Sequence, residues 1–241
     1  PPRSSWHDAI EYLLPARYPT PRVAVRDEDW SPDHADIYCP RCGRTAPIET
    51  VTDTGCVHCR GEVVHWRRVW RLGAYRPPLA GWIRQMKFLR RWAWCDWFGH
   101  ALAVAVQDHE LPTAVVPVPL HWRRRIARRF DQAQWLAHML ARERGWPIAK
   151  LLRRHRHTPM QSHIESHAKR LANVRRAFSV VSVDLSGWRI LLVDDVKTSG
   201  ATAGQCTRLL RRAGAPVVDL AVVAVADPRA APQPAEAPAT A

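Results

Sequence analysis

The feature that most restricts the fold is a stretch of thirteen residues, 190–202, in which an apolar run precedes two acids and a loop of small and hydroxyl residues. The run from Ile190 to Val193 predicts a buried strand, and Asp194 and Asp195 follow it directly. In open α/β sheets, ligands bind beyond the carboxyl ends of the parallel strands. The segment therefore predicts a parallel sheet with a ligand site at this strand end.

The residues after the two acids have the composition of a phosphate-binding loop. Hydroxyl side chains, backbone N–H groups and the positive end of a helix dipole together bind a phosphate monoester. The two carboxylates suit the cis-diol of a ribose 5-phosphate, either directly or through Mg²⁺. We therefore expect one phosphorylated ribose ligand, bound by Asp194, Asp195, Lys197, Thr198, Ser199, Gly200, Ala201 and Thr202.

Strand and helix patterns alternate around this segment and predict a parallel sheet with crossover helices. We expect an α/β domain over residues 67–226 that includes a helical segment over 77–107. Four tryptophans of that helical segment are interpreted as packing residues. The expected strands are 63–75, which also fits a hairpin, 114–118, 189–193 and 217–225, and the expected helices are 77–89, 92–106, 130–144, 162–177 and 202–213.

Four of the six cysteines form two Cys-x-x-Cys pairs separated by 13 residues. Two such turns supply the four thiolates of a tetrahedral structural zinc. Disulfides are disfavoured in a chain without an export signal, and a redox pair does not explain the second matching pair. Cys95 and Cys206 fit small buried apolar side chains. The spacing favours a zinc-ribbon module over residues 37–66, with ligands Cys39, Cys42, Cys56 and Cys59.

The two ends of the chain carry little apolar sequence. Residues 1–36 are predicted to be poorly structured apart from one or two helical turns, and the Pro/Ala-rich residues 227–241 are predicted to be disordered. We find no secretory signal pattern, and the longest apolar stretch, 217–226, contains Asp219 and falls short of the ~20 residues of a membrane-spanning helix. We expect a cytoplasmic protein that is not inserted into a membrane.

The formal net charge of +14 is concentrated in the middle of the chain. Residues 117–180 hold 15 basic and 3 acidic residues, whereas residues 181–241 hold six of each. An excess of this size indicates an anionic partner, such as a phosphorylated small molecule, a nucleic acid or an anionic membrane. Because 32 of the 36 basic residues are arginines, a genome rich in G and C is an alternative source of the excess.

The segment 190–202 resembles the fingerprint of the type I phosphoribosyltransferases, which is four apolar residues, two acids and a Thr/Ser-Gly loop. The rest of the chain resembles the ComF family, bacterial proteins linked to natural competence that join a zinc module to a phosphoribosyltransferase-like domain. The resemblance covers about residues 39–225. Its matching pieces are the two cysteine pairs, Tyr75, residues 85–88, 116–121, 128–133, 152–153, Thr158, Gln161, Arg170, Asn173, Phe178 and the diacid loop.

The resemblance implies a type I phosphoribosyltransferase-like parallel sheet flanked by helices, with a small N-terminal zinc-ribbon module. It also implies phosphoribosyl pyrophosphate (PRPP) with Mg²⁺ as the ligand, bound through its 5-phosphate in the loop and its ribose hydroxyls at the catalytic pair Asp194 and Asp195. A pyrophosphate loop would follow the strand ending at Val118, and a hood would precede the diacid strand. The candidates in these two regions are Val118, Pro119, Arg123, Arg128, Arg129, Arg153, Arg156 and Gln161.

Three features depart from the family pattern. Residues 128–132 read Arg-Arg-Phe-Asp-Gln, so the glycine expected after the first arginine is lost. Thr198 occupies the position at which purine-salvage relatives use a carboxylate base, and the acceptor of the phosphoribosyl group therefore stays undefined. A long spacer separates Leu14-Pro15 from Cys39, which indicates a smaller metal module.

Two functions of different classes are consistent with these features. The first is an enzyme, a Mg²⁺-dependent phosphoribosyltransferase with an unknown acceptor. The second is a non-catalytic competence factor that senses PRPP or binds single-stranded DNA and works with the competence machinery. For the second, Trp122 and Trp135 lie among arginines and are candidates for stacking on bases, with core packing as the alternative for Trp135.

Overall fold

The computed structural model describes residues 19–106, 110–120, 130–155 and 177–226. The chain divides into two compact units, Pro1–Ser31 and Pro32–Ala241. The described part of the first unit contains one helix, α1 (Pro21–Asp27), which starts with a proline at a position where the missing N–H is not needed. The one or two helical turns were expected at the apolar patch 10–14, which lies outside the described residues, whereas α1 lies in the following proline-rich run that was expected to be a loop. The predicted tail, 227–241, lies outside the described residues.

The second unit contains both the cysteine pairs and the sheet, and the boundary placed between residues 66 and 67 stays a prediction. Its elements follow one another in the alternating order expected for a parallel α/β sheet. In chain order they are a 3-10 helix (Ile48–Thr50), β1 (Val69–Ala74), α2 (Leu79–Phe88), α3 (Ala93–Ala105), β2 (Ala114–Pro117), α4 (Gln132–Arg144), β3 (Leu152–Arg154), β4 (Phe178–Val180), β5 (Arg189–Lys197), α5 (Ala201–Arg212) and β6 (Val217–Val225).

Four strands form one sheet in the order β1-β6-β5-β2, and every neighbouring pair is parallel. The central strands β5 and β6 are rich in valine and leucine and are buried along most of their length, as expected for strands covered on both faces. The predicted fold class, a parallel sheet flanked by helices with a four-cysteine module, is confirmed.

Strand β5 is longer than the sequence predicted. The expected strand ended at Val193, whereas the ladder with β6 continues until Lys197 pairs with Val225. Because β6 offers nine residues as partners, the two acids lie inside the hydrogen-bonded ladder and not in the loop that follows it. The diacid is therefore held by the sheet itself.

The tryptophans of α2 and α3 pack against one another, which confirms their interpretation as packing residues. The ring centroids of Trp82 and Trp94 are 4.8 Å apart, and Trp94 is fully buried. The ring of Trp135 stacks on Trp92, and its Nε1 donates to Asp96 Oδ1 at 2.9 Å. Trp135 is thus a packing residue as well.

Helix α4 has a clear cap at each end. The side chain of Asp131 accepts a hydrogen bond from the amide of Gln134, and Gly145 ends the helix with φ of 65°. The predicted stop at Gly145 is confirmed. The helix predicted over 162–177 lies almost wholly outside the described residues.

A second sheet consists of β3 and β4, which pair antiparallel, with Arg153 opposite Ser179. This pair was not predicted as strands. Cys95 and Cys206 are fully buried as expected, and burial raises the pKa of both thiols. Among the described residues, no helix has the length and apolar character needed to span a bilayer.

Candidate functional site

The two acids near the end of β5 have different partners. The amide of Asp195 donates to Asp194 Oδ1 at 2.8 Å. The ammonium of Lys87, from the last turn of α2, lies 3.0 Å from Asp195 Oδ2. Both side chains of this ion pair are 16 % exposed, so the pair is mostly buried and keeps some contact with solvent. Asp195 is therefore charge-compensated in this structure.

The surroundings of Asp194, in contrast, disfavour its charged form. Burial raises its pKa to about 8, and the negative charge of Asp195 adds to this effect. The hydrogen bond from the amide of Asp195 and the charge of Lys87 act to lower the same pKa. A carboxyl group in this environment gains strongly from a divalent cation or from hydroxyl donors, because either one stabilises its charged form.

A third acid, Asp131, acts on the diacid from the start of α4. Its Oδ1 accepts from the amide of Gln134 at 3.2 Å, and its Oδ2 accepts from the amide of Leu120 at 3.3 Å. Its negative charge contributes to the raised pKa of Asp194. The site thus combines three carboxylates with one ammonium, a set that suits a cation or a polyhydroxyl ligand.

Sequence reasoning assigned no site role to Lys87 or Asp131. Both lie in segments that match the ComF pattern, and that match was the signal available. Lys87 is 108 residues from Asp195 and Asp131 is 63 residues from Asp194, so only the packing of α2 and α4 beside β5 brings them to the diacid.

The segment predicted to be the phosphate loop leads directly into α5. Gly200 takes a left-handed conformation, with φ of 76°, and is the N-cap of α5. The Oγ of Ser199 accepts from the amide of Ala201 at 3.4 Å. Thr198 is exposed, and the four residues after it are partly exposed. The loop therefore presents a helix N-terminus and hydroxyl groups to solvent, as a phosphate site requires.

The structure buries Lys197. Its side chain is 6 % exposed, and its Nζ lies 5.8 Å from the centroid of the Trp66 ring. Burial lowers its pKa, and the nearby Cys42 acts in the opposite direction. This lysine thus faces the indole of Trp66, while the neighbouring residues of the loop face solvent.

The predicted pyrophosphate loop and hood are described only in part. The amide of Val118 donates to Val193 O at 2.9 Å, which places the end of β2 beside the diacid strand. Pro119 is partly exposed, and Arg153 is exposed on β3. The remaining candidates, Arg123, Arg128, Arg129, Arg156 and Gln161, lie outside the described residues, as does Trp122.

The four predicted metal ligands meet at one point. Their ligand atoms all lie within 4.8 Å of one another, and the four cysteines are at most 2 % exposed. Three sulfur pairs, Cys39 with Cys59, Cys42 with Cys56, and Cys56 with Cys59, are separated by 3.9, 3.7 and 3.8 Å. A tetrahedral zinc with Zn–S bonds of about 2.3 Å requires sulfur pairs about 3.8 Å apart. The cluster therefore has the size of a tetrathiolate zinc site.

Curated relatives match most of the chain. The DNA utilization protein YhgH of Escherichia coli is 32 % identical over 190 residues, which cover 76 % of this chain and 81 % of that protein. Competence protein F of Haemophilus influenzae is 32 % identical over 187 residues, or 73 % of this chain and 80 % of that protein. The chain belongs to the ComF family. No family model matches it.

Solved structures that align with this ComF-family chain include two that are described as enzymes. One is described as the allosteric regulatory enzyme of purine biosynthesis, at 25 % identity and a TM-score of 0.37. The other is glutamine PRPP amidotransferase from B. subtilis, at 26 % identity and a TM-score of 0.38. Each alignment covers 53 % of this chain, which spans only a quarter of either enzyme.

Proposed function

We propose that this protein binds PRPP with Mg²⁺ at the end of β5 and transfers its phosphoribosyl group to an acceptor. One continuous segment carries the proposal. Its two acids, Asp194 and Asp195, are held in the ladder between β5 and β6, and the left-handed Gly200 and the N-terminus of α5 follow them. This arrangement offers carboxylates to ribose hydroxyls and N–H donors to a phosphate within one continuous segment.

In this proposal each part of PRPP has its own residues. Asp194 and Asp195 hold the ribose hydroxyls, directly or through Mg²⁺, and the loop from Thr198 to Thr202 holds the 5-phosphate. The strand end at Val118 and the arginines of the pyrophosphate loop and hood hold the pyrophosphate, because guanidinium groups bind its oxygens in a bidentate manner. Lys87 offsets the charge of Asp195 until the ligand binds.

The chemistry is a substitution at the anomeric carbon of the ribose. The bond from that carbon to pyrophosphate breaks, its electron pair leaves with pyrophosphate, and a nucleophile on the acceptor forms the new bond. The transition state is oxocarbenium-like, so positioning of the ribose and neutralisation of the leaving group supply the catalysis. Because Thr198 is not a carboxylate, the acceptor must be a good nucleophile without a base from this loop.

Release of pyrophosphate from PRPP across a panel of candidate acceptors tests the transfer step. We expect acceptor-dependent release by the wild type and none by Asp194→Asn/Asp195→Asn. The control is Asp36→Asn/Asp184→Asn, which removes the same number of charges from two exposed positions. Equal release by the wild type and the diacid variant would contradict the assignment of the diacid as catalytic.

We further propose that Cys39, Cys42, Cys56 and Cys59 hold one structural zinc ion. The spacing of the sulfur atoms and their burial support this assignment. Four thiolates leave no open coordination position, so the ion stabilises the fold and takes no part in transfer.

The second candidate function is binding of single-stranded DNA during competence. Two observations favour it: the net charge of +12 over residues 117–180, and the names of the relatives, which refer to DNA utilization and competence. Binding to an oligonucleotide should weaken steeply as salt is added, and the lack of binding at low salt would exclude this function.

A further inference from the structure

One side chain contacts both the cysteine cluster and the predicted phosphate loop. Trp66 is 6 % exposed, and its Nε1 donates to the carbonyl oxygen of Arg41 at 2.8 Å. Arg41 lies between Cys39 and Cys42 in the first Cys-x-x-Cys turn, so this carbonyl belongs to the backbone that would wrap the ion. The indole is therefore anchored to the metal-binding turn.

The other edge of the same indole lies against the loop. A Cβ atom built on Gly200 would be 2.9 Å from Trp66 Cη2, and one built on Gly204 would be 4.0 Å from Cζ3. Because Gly200 carries no side chain, the ring lies close against the backbone of the loop, and the first turn of α5 at Gly204 lies near the same ring edge. The ammonium of Lys197 also lies near the indole, 5.8 Å from the ring centroid of Trp66.

We propose that Trp66 is a positioning residue that couples the four-cysteine metal site to the phosphate loop. With zinc bound, the first cysteine turn is fixed, its Arg41 carbonyl holds the indole, and the indole supports the loop at Gly200. Without zinc, the turn loses this restraint and the loop loses its support. The inference rests on the proposed function, because it takes 198–202 as the phosphate loop and the four cysteines as a zinc site.

Coupling between two binding sites is reciprocal. A phosphate ligand that orders the loop must therefore strengthen zinc binding by the same factor by which zinc strengthens binding of the ligand. Neither site needs to contact the other's ligand for this relation to hold. Trp66 acts through the loop and is not assigned a contact with the substrate.

Hydrogen exchange of the full chain tests the coupling without any phosphate ligand. With zinc bound, Trp66→Phe loses the N–H donor and the outer ring edge, and we expect the amides of residues 199–204 to exchange about tenfold faster. Amides in the centre of α4 should keep their rates. The control Trp97→Phe removes the same ring from α3 and should leave the loop unchanged. Equal loop exchange in the two variants would overturn the proposal.

Zinc release tests the coupling in the opposite direction. Saturating ribose 5-phosphate should slow the transfer of zinc to a chromogenic chelator several-fold in the wild type and have no effect in Trp66→Phe. Gly200→Ala, whose methyl group displaces the indole, should speed zinc release, whereas Gly187→Ala, at an unobstructed glycine of similar φ, should not. Equal release rates for the two glycine variants would overturn the coupling.

A failure of the ligand site and a failure of the coupling through Trp66 give different results. If zinc-loaded wild type binds neither ribose 5-phosphate nor PRPP, the proposed function is wrong, while the exchange experiment and the glycine pair still decide the coupling. If the ligand binds and Trp66→Phe behaves as Trp97→Phe does in every measurement, the coupling is wrong and the ligand site is retained.

Discussion

The four cysteines come together through two local turns within 21 residues of chain, whereas the diacid site collects side chains from three separate places, β5, the last turn of α2 and the N-cap of α4. The cysteine cluster thus depends on short-range backbone geometry and on an ion. The diacid site depends on the sheet, which places β5 beside α2, α4 and the end of β2. The same chain thus forms one site through the local spacing of its cysteines and the other through tertiary packing.

Removing the ion should have the largest effect of any change considered. Cys39→Ser/Cys42→Ser deletes two ligands, and a structural zinc contributes on the order of 10 kcal/mol to folding a small module. We expect loss of zinc by elemental analysis and a large fall in melting temperature. Cys95→Ala, which removes a cysteine outside the cluster, should retain one zinc per chain. Full zinc content in the double variant would contradict the assignment.

Lys87→Met should produce the next largest effect, and it should be confined to the diacid site. The variant leaves Asp195 beside Asp194 without its cation, which we expect to cost about 1–3 kcal/mol, less than for a fully buried pair because both side chains keep some solvent. Chemical denaturation measures the loss. Lys87→Arg should recover most of it, and zinc content should not change in either variant. Unchanged stability in Lys87→Met would show that the ion pair is not formed.

Asp194→Asn should stabilise the folded protein, whereas Lys87→Met should destabilise it. A carboxyl whose folded pKa is raised adds stability while it is protonated and loses that contribution as pH rises toward the folded pKa of about 8. The ligand-free asparagine variant should therefore exceed the wild type by about 1–3 kcal/mol at pH 9, with the difference shrinking toward pH 5. Denaturation curves at the two pH values measure this. A difference that does not depend on pH would contradict the raised pKa.

The smallest expected effect is the difference in stability between Gly200→Ala and Gly187→Ala. This difference separates the cost of contact with Trp66 from the cost of backbone strain. Gly187 and Gly200 have φ values of 79° and 76°, but a Cβ on Gly187 meets no atom within 4 Å, whereas one on Gly200 meets the indole at 2.9 Å. Alanine at either position should cost about 1 kcal/mol for the left-handed conformation. Gly200→Ala should cost about a further 1 kcal/mol for the displaced ring. Equal losses in the two variants would show that the contact is not tight.

Local patterns predicted the parts of the molecule that depend on neighbours in sequence. The apolar run before Asp194, the stop at Gly145 and the two Cys-x-x-Cys turns each carry their own signal, and the structure places all of them as expected. The length of β5 was underestimated because its last residues are held by partners in β6 and not by their own apolar character.

The rest of the site depends on packing that a single sequence does not encode locally. Lys87 resembles any other cation in the last turn of a helix until α2 is placed beside β5. Trp66 resembles any other tryptophan near a metal module until its two edges are placed against Arg41 and Gly200. The β3–β4 pair joins two segments 24 residues apart, and neither is long enough to give a strand signal.

Calorimetric titration of PRPP in the presence of Mg²⁺ tests the central claim most directly. We expect one site per chain in the wild type, and affinity at least about tenfold weaker in Asp194→Asn/Asp195→Asn, since each carboxylate lost removes a charge-assisted contact. The exposed pair Asp36→Asn/Asp184→Asn should bind as the wild type does. No heat of binding to the wild type, or equal affinity in the diacid variant, would contradict the claim that this strand end is a PRPP site.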